Sequence, residues 1–226
     1  MNEMIGTRIL DVPERPSPEL VARFSDLPVA NISDVMGRLA AGGPRLRPLH
    51  AGGVLCGPAF TVRTRPGDNL MIHHALDTAS PGDVIVVDGG GDLTNALMGE
   101  MMLAYSEQRG LAGVVMNGAV RDLGYVRSHA FPVYAAGVTH RGPYKHGPGE
   151  INVPISLDGM VISPGDIIVG DDDGVVSVPL AEAETVYAAS KKKHDAEAAQ
   201  MEAILAGRVD RTWVRTAVEK LLSGAG

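Results

Sequence analysis

Three short apolar runs alternate with segments of helical spacing in the middle of the chain. The runs Pro81–Gly89, Ala112–Gly118 and Pro132–Val138 are almost uninterrupted by polar residues, which is typical of strands covered on both faces. Between them, the spacing predicts helices over Thr94–Arg109 and Val120–Ala130. Strands that alternate with helices indicate βαβ units and a parallel sheet, so we assign the chain to the α/β class.

The segments before this region combine helices and a strand. Ser17 can cap a first helix, and Asn31 or Ser33 can cap a second one. The alternating, β-branched run over residues 57–64 predicts a strand, and the spacing over residues 68–79 predicts a further helix.

The pattern becomes all-β after His140. Three short strands separated by turn residues are predicted over residues 155–179. The run DDDG, Asp171–Gly174, lacks the alternating ligands and the distal Glu of a calcium loop, so we interpret it as a charged hairpin turn. A long polar helix is predicted next, over Ala181–Leu205.

Length and composition are those of an ordinary globular protein. The chain has 226 residues, of which 45% are hydrophobic and 21% charged, and this length accommodates roughly one or one and a half domains. We expect a single domain over residues 1–226 with a core of about 46–179. N-terminal helices precede the core, and a C-terminal helical arm of about 181–226 follows it.

Charge and cysteine content exclude several classes of function. The net charge of −7 argues against a broad surface for nucleic acid or for an anionic membrane. Cys56 is the only cysteine, which excludes an intrachain disulfide and a zinc site built from several cysteines. The first ten residues hold no apolar run long enough for a signal peptide or a membrane span. We therefore expect a cytoplasmic protein with no nucleic-acid or membrane partner.

Arg121 and Asp122 stand side by side at the end of a predicted buried strand. Adjacent residues on a helix diverge by about 100°, so they do not pair easily and could reach different partners in one cleft. Arginine suits a carboxylate, and aspartate suits a hydrated Mg²⁺ ion. The alternative is a solvated pair in the first turn of a helix, where the helix dipole favours Asp. The residues alone leave both interpretations open.

Four other features have a functional and a plain structural interpretation. The amides of Gly89–Asp92, GGGD, could cradle an anion or could form only a tight turn after a strand. Glu100 lies among Met and Leu in a predicted helix and faces either solvent or a cleft. His73 and Asp77 have the i,i+4 spacing of a metal-binding pair, although an ordinary amphipathic helix is favoured. The Gly/Pro-rich segment 140–149 could cover a site.

An ordered series of motifs covers most of the chain, from about Asn31 to Gly207. The motifs are PGDN (66–69), PGDVIVVDGGGD (81–92), ALMGE (96–100), GVVMNGAVRD (113–122) and PGDIIVGDDDGVVSVP (164–179). This series resembles the RraA-like family, which includes the class II 4-hydroxy-4-methyl-2-oxoglutarate / 4-carboxy-4-hydroxy-2-oxoadipate aldolases. The resemblance implies a swivelling β/β/α domain, homotrimers that often pair into hexamers, and active sites between subunits.

The resemblance also implies roles for individual residues. It places the ligand of a divalent cation, Mg²⁺ or Mn²⁺, on Asp122 and the substrate-binding guanidinium on Arg121. The backbone contacts to the substrate fall on four consecutive residues, Gly99, Glu100, Met101 and Met102. If those amides are free to bind an anion, the helix begins nearer position 96 or 99 than position 94.

The same resemblance implies a role for the predicted C-terminal arm. The family's aldolases carry a Glu shortly before a Gly in this arm, and the candidate is Glu197, which precedes Gly207. It would reach the metal site of a neighbouring subunit. The regulator RraA, an inhibitor of RNase E, is shorter and lacks the arm, so the length of 226 residues favours the enzyme over a protein-binding regulator.

One position departs from the aldolase pattern R-D-x-x-E/D. Tyr125 stands where the pattern has an acid that orients water at the metal, and losing such a partner commonly costs roughly 10–100-fold. This departure makes release of pyruvate through an enolate a firmer expectation than any one named substrate.

The resemblance implies a lyase acting on a small 2-oxo acid with a 4-hydroxyl or a 3-carboxylate. The cation neutralises the charge of the pyruvate enolate as the carbon–carbon bond breaks. Retro-aldol cleavage also needs a base for the 4-hydroxyl proton, and metal-bound water or hydroxide, held by Glu100 and a neighbour's Glu197, is the candidate. Oxaloacetate decarboxylation needs no such base, so one site can support both reactions.

Overall fold

The structure is a computed structural model that describes residues 5–39 and 43–224. The chain divides into two units, residues 1–190 and residues 191–226, and every strand described lies in the first. The strands are β1 Thr7–Ile9, β2 Arg47–Pro48, β3 Leu55–Thr64, β4 Val84–Asp88, β5 Ala96–Met98, β6 Gly113–Val120, β7 Val133–Val138, β8 Gly149–Ile151, β9 Ile155–Leu157, β10 Met160–Ile162, β11 Ile167–Asp171 and β12 Gly174–Val178.

The helices are α1 Pro18–Phe24, α2 Val29–Val35, α3 Leu70–Thr78, α4 Glu100–Gln108, α5 Leu123–Arg127, α6 Ala183–Leu205 and α7 Thr212–Leu222, and a 3₁₀ turn, Leu180–Glu182, precedes α6. None of the helices in the described ranges is long and apolar enough to cross a membrane.

Four parallel strands form the centre of the main sheet. They lie in the order β3-β4-β6-β7, and α3, α4 and α5 lie in the connections between them, so the predicted βαβ units are confirmed. Antiparallel strands extend both sides: β8 pairs with β3, and β2 pairs with β7. Because parallel neighbours end at the same edge, the segments after these four strands lie along one side of the sheet.

The core explains the uninterrupted apolar runs. Along β4, the side chains of Ile85 and Val87 belong to one buried cluster, while Val84 and Val86 belong to another. Successive residues of a strand point to opposite faces, so this strand is covered on both. The third buried cluster packs the N-terminal helices against β11 and β12.

Helix α1 begins as predicted, and α2 does not. The amide of Leu20 donates to Ser17 Oγ over 3.2 Å, which confirms the cap of α1. Helix α2 begins at Val29, ahead of the predicted caps, because the carboxylate of Asp171 accepts the Val29 amide over 2.9 Å. The capping carboxylate lies 142 residues away along the chain, so the local sequence pattern could not predict it.

The C-terminal half of the core holds four strands where three were predicted. The additional strand arises because β9 and β10 form a hairpin, closed by Asp158 and Gly159, both with positive φ. Asp-Gly is a strong signal for a type I′ hairpin turn, and it was present in the sequence. The DDDG run forms the turn between β11 and β12, as predicted.

Two predicted helices are shorter than expected. The segment predicted to be helical from Thr94 contains the strand β5 first, and α4 begins only at Glu100, which agrees with the start implied by the family resemblance. Helix α5 begins at Leu123 because β6 continues through Val120 and because Asp122 has a left-handed backbone. The long polar helix was predicted almost to its ends. Helix α7 lies within the predicted helical arm of about 181–226, although no separate helix was predicted there.

Candidate active site

The chemically suggestive motifs meet at the carboxyl edge of the parallel sheet. PGDN follows β3, GGGD follows β4, Arg121-Asp122 follows β6, and residues 139–148 follow β7. Ligands of α/β proteins bind at this edge by preference. A cavity of about 230 Å³ opens here, and its lining residues are Asn69, His73, Ala96, Leu97, Met98, Gly99, Met101, Met102, Arg121, Asp122, Pro143 and Lys145.

Asp122 has a backbone conformation that is uncommon outside glycine. Its φ of 59° and ψ of 43° are left-handed, and it occupies the cap position before α5. Its Oδ2 accepts the amide of Glu100 over 3.0 Å, and its side chain remains 36% exposed. Strained residues of this kind concentrate at functional sites.

Arg121 and Asp122 lie closer together than the helical expectation allowed. Arg121 Nε is 3.6 Å from Asp122 Oδ2. The expectation of divergence was wrong because it assumed two consecutive helical residues, and Asp122 is left-handed. The separation exceeds a hydrogen bond, and both side chains are partly exposed, so the pair leaves both groups available to a ligand.

Gly99 is required by this arrangement. A Cβ at this position would overlap Asp122 Oδ2 and would lie 3.0 Å from Arg121 Nε. The backbone of Gly99 is extended, with φ −147°, so the requirement is one of space and not of conformation. Glycine here lets the start of α4 approach the carboxylate and the guanidinium.

The start of α4 has amides with no acceptor in the described part of the chain. Glu100 donates its amide to Asp122, and Met102 donates to the carbonyl of Gly99 over 3.1 Å. Within the described residues, the amides of Gly99 and Met101 have no acceptor. Three of the four predicted backbone positions line the cavity, whereas Glu100 has an exposed side chain outside the lining.

The GGGD turn does not have a comparable set of free amides. Gly89 and Gly91 donate to the carbonyl of Asn117, Gly90 donates to Asp88 Oδ1, and Asp92 donates to Gly89. All four amides therefore have acceptors, two of them on β6 and two within or next to the turn. The interpretation as a tight turn is therefore favoured over an anion cradle.

Helix α3 contributes two side chains that sequence reasoning undervalued. Asn69 and His73 are one helical turn apart, so both face the cavity. Asn69 is 2% exposed, and its Nδ2 donates to the carbonyl of Leu97 over 2.9 Å. Burial, and then the charge of Lys145, hold the pKa of His73 below its ordinary value and outweigh Asp77. The i,i+4 spacing of His73 and Asp77 was visible in the sequence, but the residue that shares the cavity lining with His73 is Asn69, four positions earlier.

A buried carboxylate fixes the segment after β7 to the same edge. Asp68 is fully buried, and its Oδ2 accepts the amides of His146 and Gly147 over 2.7 and 3.1 Å. Burial alone would raise the pKa of Asp68, but these amides, the amide of Leu70 and the charge of Arg65 hold it below the ordinary value. This anchoring positions Lys145 at the cavity.

The remaining predicted residues have other neighbours. Tyr125 stacks on His129, with ring centroids 3.8 Å apart, and its ring packs against the core. Glu197 lies on α6 in the second unit, where its Oε1 is 2.7 Å from Lys193 Nζ. Its approach to a neighbouring subunit stays a prediction. No cluster of three or more His, Cys, Asp or Glu suited to a metal occurs in the ranges described.

The fold and the site define an α/β protein with a carboxylate and a guanidinium beside an open helix N-terminus. The sequence profile of the RraA-like family, described as Aldolase/RraA, matches residues 29–177. The chain belongs to this family. A protein of Halalkalibacterium halodurans that bears the name "Putative 4-hydroxy-4-methyl-2-oxoglutarate aldolase" is 40% identical over 186 residues, which are 82% of this chain and 89% of that protein.

Solved structures confirm the predicted fold. A crystal structure of an uncharacterized protein from Pseudomonas syringae pv. tomato str. DC3000 has a TM-score of 0.78 at 26% identity, and the match covers 87% of this chain and 96% of that one. The RNA-processing inhibitor RraA from Thermus thermophilis has a TM-score of 0.63 at 30% identity, covering 68% and 93%. The swivelling β/β/α architecture is therefore that of this protein.

Proposed function

We propose that the protein is a divalent-metal-dependent carbon–carbon lyase that cleaves a 4-hydroxy-2-oxo acid and releases pyruvate. The observation that carries the proposal is the left-handed Asp122, whose carboxylate lies beside Arg121 and the start of α4 at the mouth of the cavity. The aldolase name of the Halalkalibacterium halodurans relative supports the same reaction class. Oxaloacetate decarboxylation is included in the proposal, because it needs the same electron sink.

The residues present suit a hydrated cation. Asp122 offers one partly exposed carboxylate, and Mg²⁺ is commonly held by one or two carboxylates while keeping several waters. Mn²⁺ prefers the same oxygen ligands. When bound, such an ion would supply a Lewis acid for the negative charge that develops on the 2-oxo oxygen.

The chain's own groups would bind and orient the substrate. The planar fork of Arg121 suits the 1-carboxylate, and the unused amides of Gly99 and Met101 point their partial positive charge at an anion near the start of α4. Donors that are already in place at a developing negative charge lower the barrier without reorganisation. These groups therefore serve both aldol cleavage and decarboxylation.

The proton of the 4-hydroxyl needs a separate acceptor. The first candidate is Glu100, whose amide binds Asp122 and whose exposed carboxylate lies outside the cavity lining. Glu197 is the second candidate if the chain assembles as a homotrimer or hexamer. Water oriented by these two acids would take the proton. Because decarboxylation has no hydroxyl proton to remove, it would not use them.

The test is release of pyruvate from a small panel of 2-oxo acids, with Mg²⁺ or Mn²⁺ and with EDTA. We expect turnover with either ion and its loss with EDTA, restored when the ion is added in excess. Absence of pyruvate release from every substrate, with either ion, would overturn the proposal.

The Thermus thermophilis neighbour supports a second candidate, a protein-binding regulator of an RNase E-type enzyme. Such a regulator would retain the fold without needing a metal. The net charge of this chain, −7, would suit a basic protein partner. Inhibition of RNase E by this protein, together with absence of lyase activity, would identify this function.

Arg121→Lys is expected to lower kcat/KM by at least about tenfold, equivalent to about 1.4 kcal/mol of transition-state stabilisation. Lysine keeps the charge but loses the two parallel donors of the guanidinium. Steady-state kinetics and a melting curve distinguish a role of Arg121 in substrate binding from a role in stabilising the fold. A lowered melting temperature with unchanged kinetics would show that Arg121 only stabilises the fold.

Glu197→Gln is expected to reduce aldol cleavage at least about tenfold more than oxaloacetate decarboxylation, because only aldol cleavage requires a base. The two rates are measured on one preparation, and size-exclusion chromatography confirms that assembly is unchanged. Equal losses in both reactions would mean that Glu197 orients the site generally. Unchanged rates would remove it from the mechanism.

A further inference from the structure

We propose that Lys145 binds the second carboxylate of a dicarboxylic substrate and so determines which 2-oxo acids the site accepts. This inference rests on the proposed lyase function, to which it adds a residue for substrate specificity. Lys145 lines the cavity with Arg121 and Asp122, although it lies 23 positions after Asp122. It is also the only lysine in residues 1–190.

The ammonium group of Lys145 has no anionic partner among the residues that the structure describes. Over residues 5–39 and 43–224, no carboxylate lies within ion-pair distance of its Nζ. His73 also lines the cavity, and burial and the charge of Lys145 hold its pKa below the ordinary value. Lys145 therefore supplies the positive charge on this part of the lining.

The charges of the cavity favour two carboxylates over one. Arg121 and Lys145 are cationic, and Asp122 is the one anion among the lining residues described. A 1-carboxylate placed on Arg121 leaves Lys145 unpaired, whereas a second carboxylate neutralises it. The volume of about 230 Å³ is below the roughly 300–1,000 Å³ of pockets for drug-sized ligands, which suits a small acid.

The backbone of Lys145 is held in place without its side chain being committed. The neighbouring Tyr144 exchanges hydrogen bonds with the PGDN segment: its amide donates to Gly67 over 2.8 Å, and its carbonyl accepts the Asn69 amide over 3.0 Å. On the other side, His146 is bound by Asp68. A fixed backbone with a free cationic head is the arrangement needed to recognise an anionic group at one distance from Arg121.

Asn69 adds a second sign that this part of the cavity receives a polar group. Its Oδ1 is buried and accepts no hydrogen bond from the residues described. An unsatisfied buried acceptor is costly and commonly marks a group that a ligand or water completes. A 4-hydroxyl is a donor of the required kind.

The experiment uses two unreactive ligands of equal chain length, 2-oxoglutarate and 2-oxopentanoate, which differ only in the second carboxylate. Their affinities are measured by calorimetry in the presence of Mg²⁺ for the wild type, Lys145→Met and Lys145→Arg. Lys220→Met is the matched control, because Lys220 is an exposed lysine on α7 outside the cavity lining. Lys145 is itself exposed, so its replacement should leave the melting temperature unchanged.

We expect the wild type to bind 2-oxoglutarate at least about tenfold more tightly than 2-oxopentanoate, the usual value of one charge-assisted contact. Lys145→Met should lose this preference with its affinity for 2-oxopentanoate unchanged, and Lys145→Arg should retain most of it. A preference that persists in Lys145→Met, or that falls equally in Lys220→Met, would overturn the assignment.

Pyruvate release, measured on the same preparations, separates this inference from the proposed function. Turnover by the wild type together with unchanged selectivity in Lys145→Met overturns only the role of Lys145. Loss of selectivity in Lys145→Met without turnover of any substrate by the wild type supports the carboxylate site and overturns the lyase. Absence of binding of both ligands to the wild type overturns the role of Lys145.

Discussion

Asp122→Ala should lower metal-dependent release of pyruvate by more than about 100-fold while the protein remains folded. Partners that only orient a metal ligand are worth roughly 10–100-fold, so loss of the ligand itself should exceed that range. The measurement is pyruvate release at saturating Mg²⁺ and Mn²⁺. Circular dichroism and a melting curve check the fold.

Two further variants make this result interpretable. Alanine is strained in the left-handed region, whereas asparagine tolerates it, so Asp122→Asn removes the charge and keeps the backbone. Asp172→Ala removes an exposed carboxylate from the turn between β11 and β12 and should leave activity unchanged. Wild-type turnover by Asp122→Asn would show that the carboxylate does not hold the metal.

Gly99→Ala is expected to lower kcat/KM by about 100-fold, comparable to removing one preorganised donor from an oxyanion hole. The added Cβ would overlap the carboxylate of Asp122 and press on Arg121, so both groups must move. The backbone is extended there, so alanine adds no strain. Kinetics should therefore change far more than the free energy of unfolding.

Gly124→Ala is the matched control for this substitution. It adds the same methyl group two residues after Asp122, where a Cβ would meet no atom within 4 Å. Alanine is also the better helix former, by about 1 kcal/mol. Unchanged kinetics in Gly99→Ala would mean that the carboxylate of Asp122 and the guanidinium of Arg121 can move without loss of activity. That result would contradict the requirement for glycine at position 99.

The sequence predicted the central sheet and the position of the site because both depend on local signals. Continuous apolar runs mark strands covered on both faces, and their carboxyl ends placed Arg121 and Asp122 at one edge. The features that escaped prediction depend on distant partners. Asp171 caps α2, and the carbonyl of Asn117 accepts amides of the GGGD turn. Neither contact produces a periodic pattern in the sequence.

The family resemblance corrected the predicted start of α4 but did not predict the backbone conformation of Asp122. It moved the predicted start of α4 from Thr94 to about position 96 or 99, and the helix begins at Glu100. It did not reveal that Asp122 is left-handed, and that conformation brings the carboxylate to the Glu100 amide. Backbone geometry of this kind follows from the packing of β5 beside β6, which a one-dimensional pattern does not contain.

The segment after β7 has consequences for how fast a ligand can enter. Its backbone is tied at intervals along its length: Thr139 donates to Val120, the carbonyl of Arg141 accepts from Ala96, and Asp68 holds the far end. A segment fastened at so many points is part of a rigid rim and does not swing as a lid. Binding and release at this site should therefore proceed through an open mouth, without the microsecond-to-millisecond loop motions that limit turnover in many enzymes.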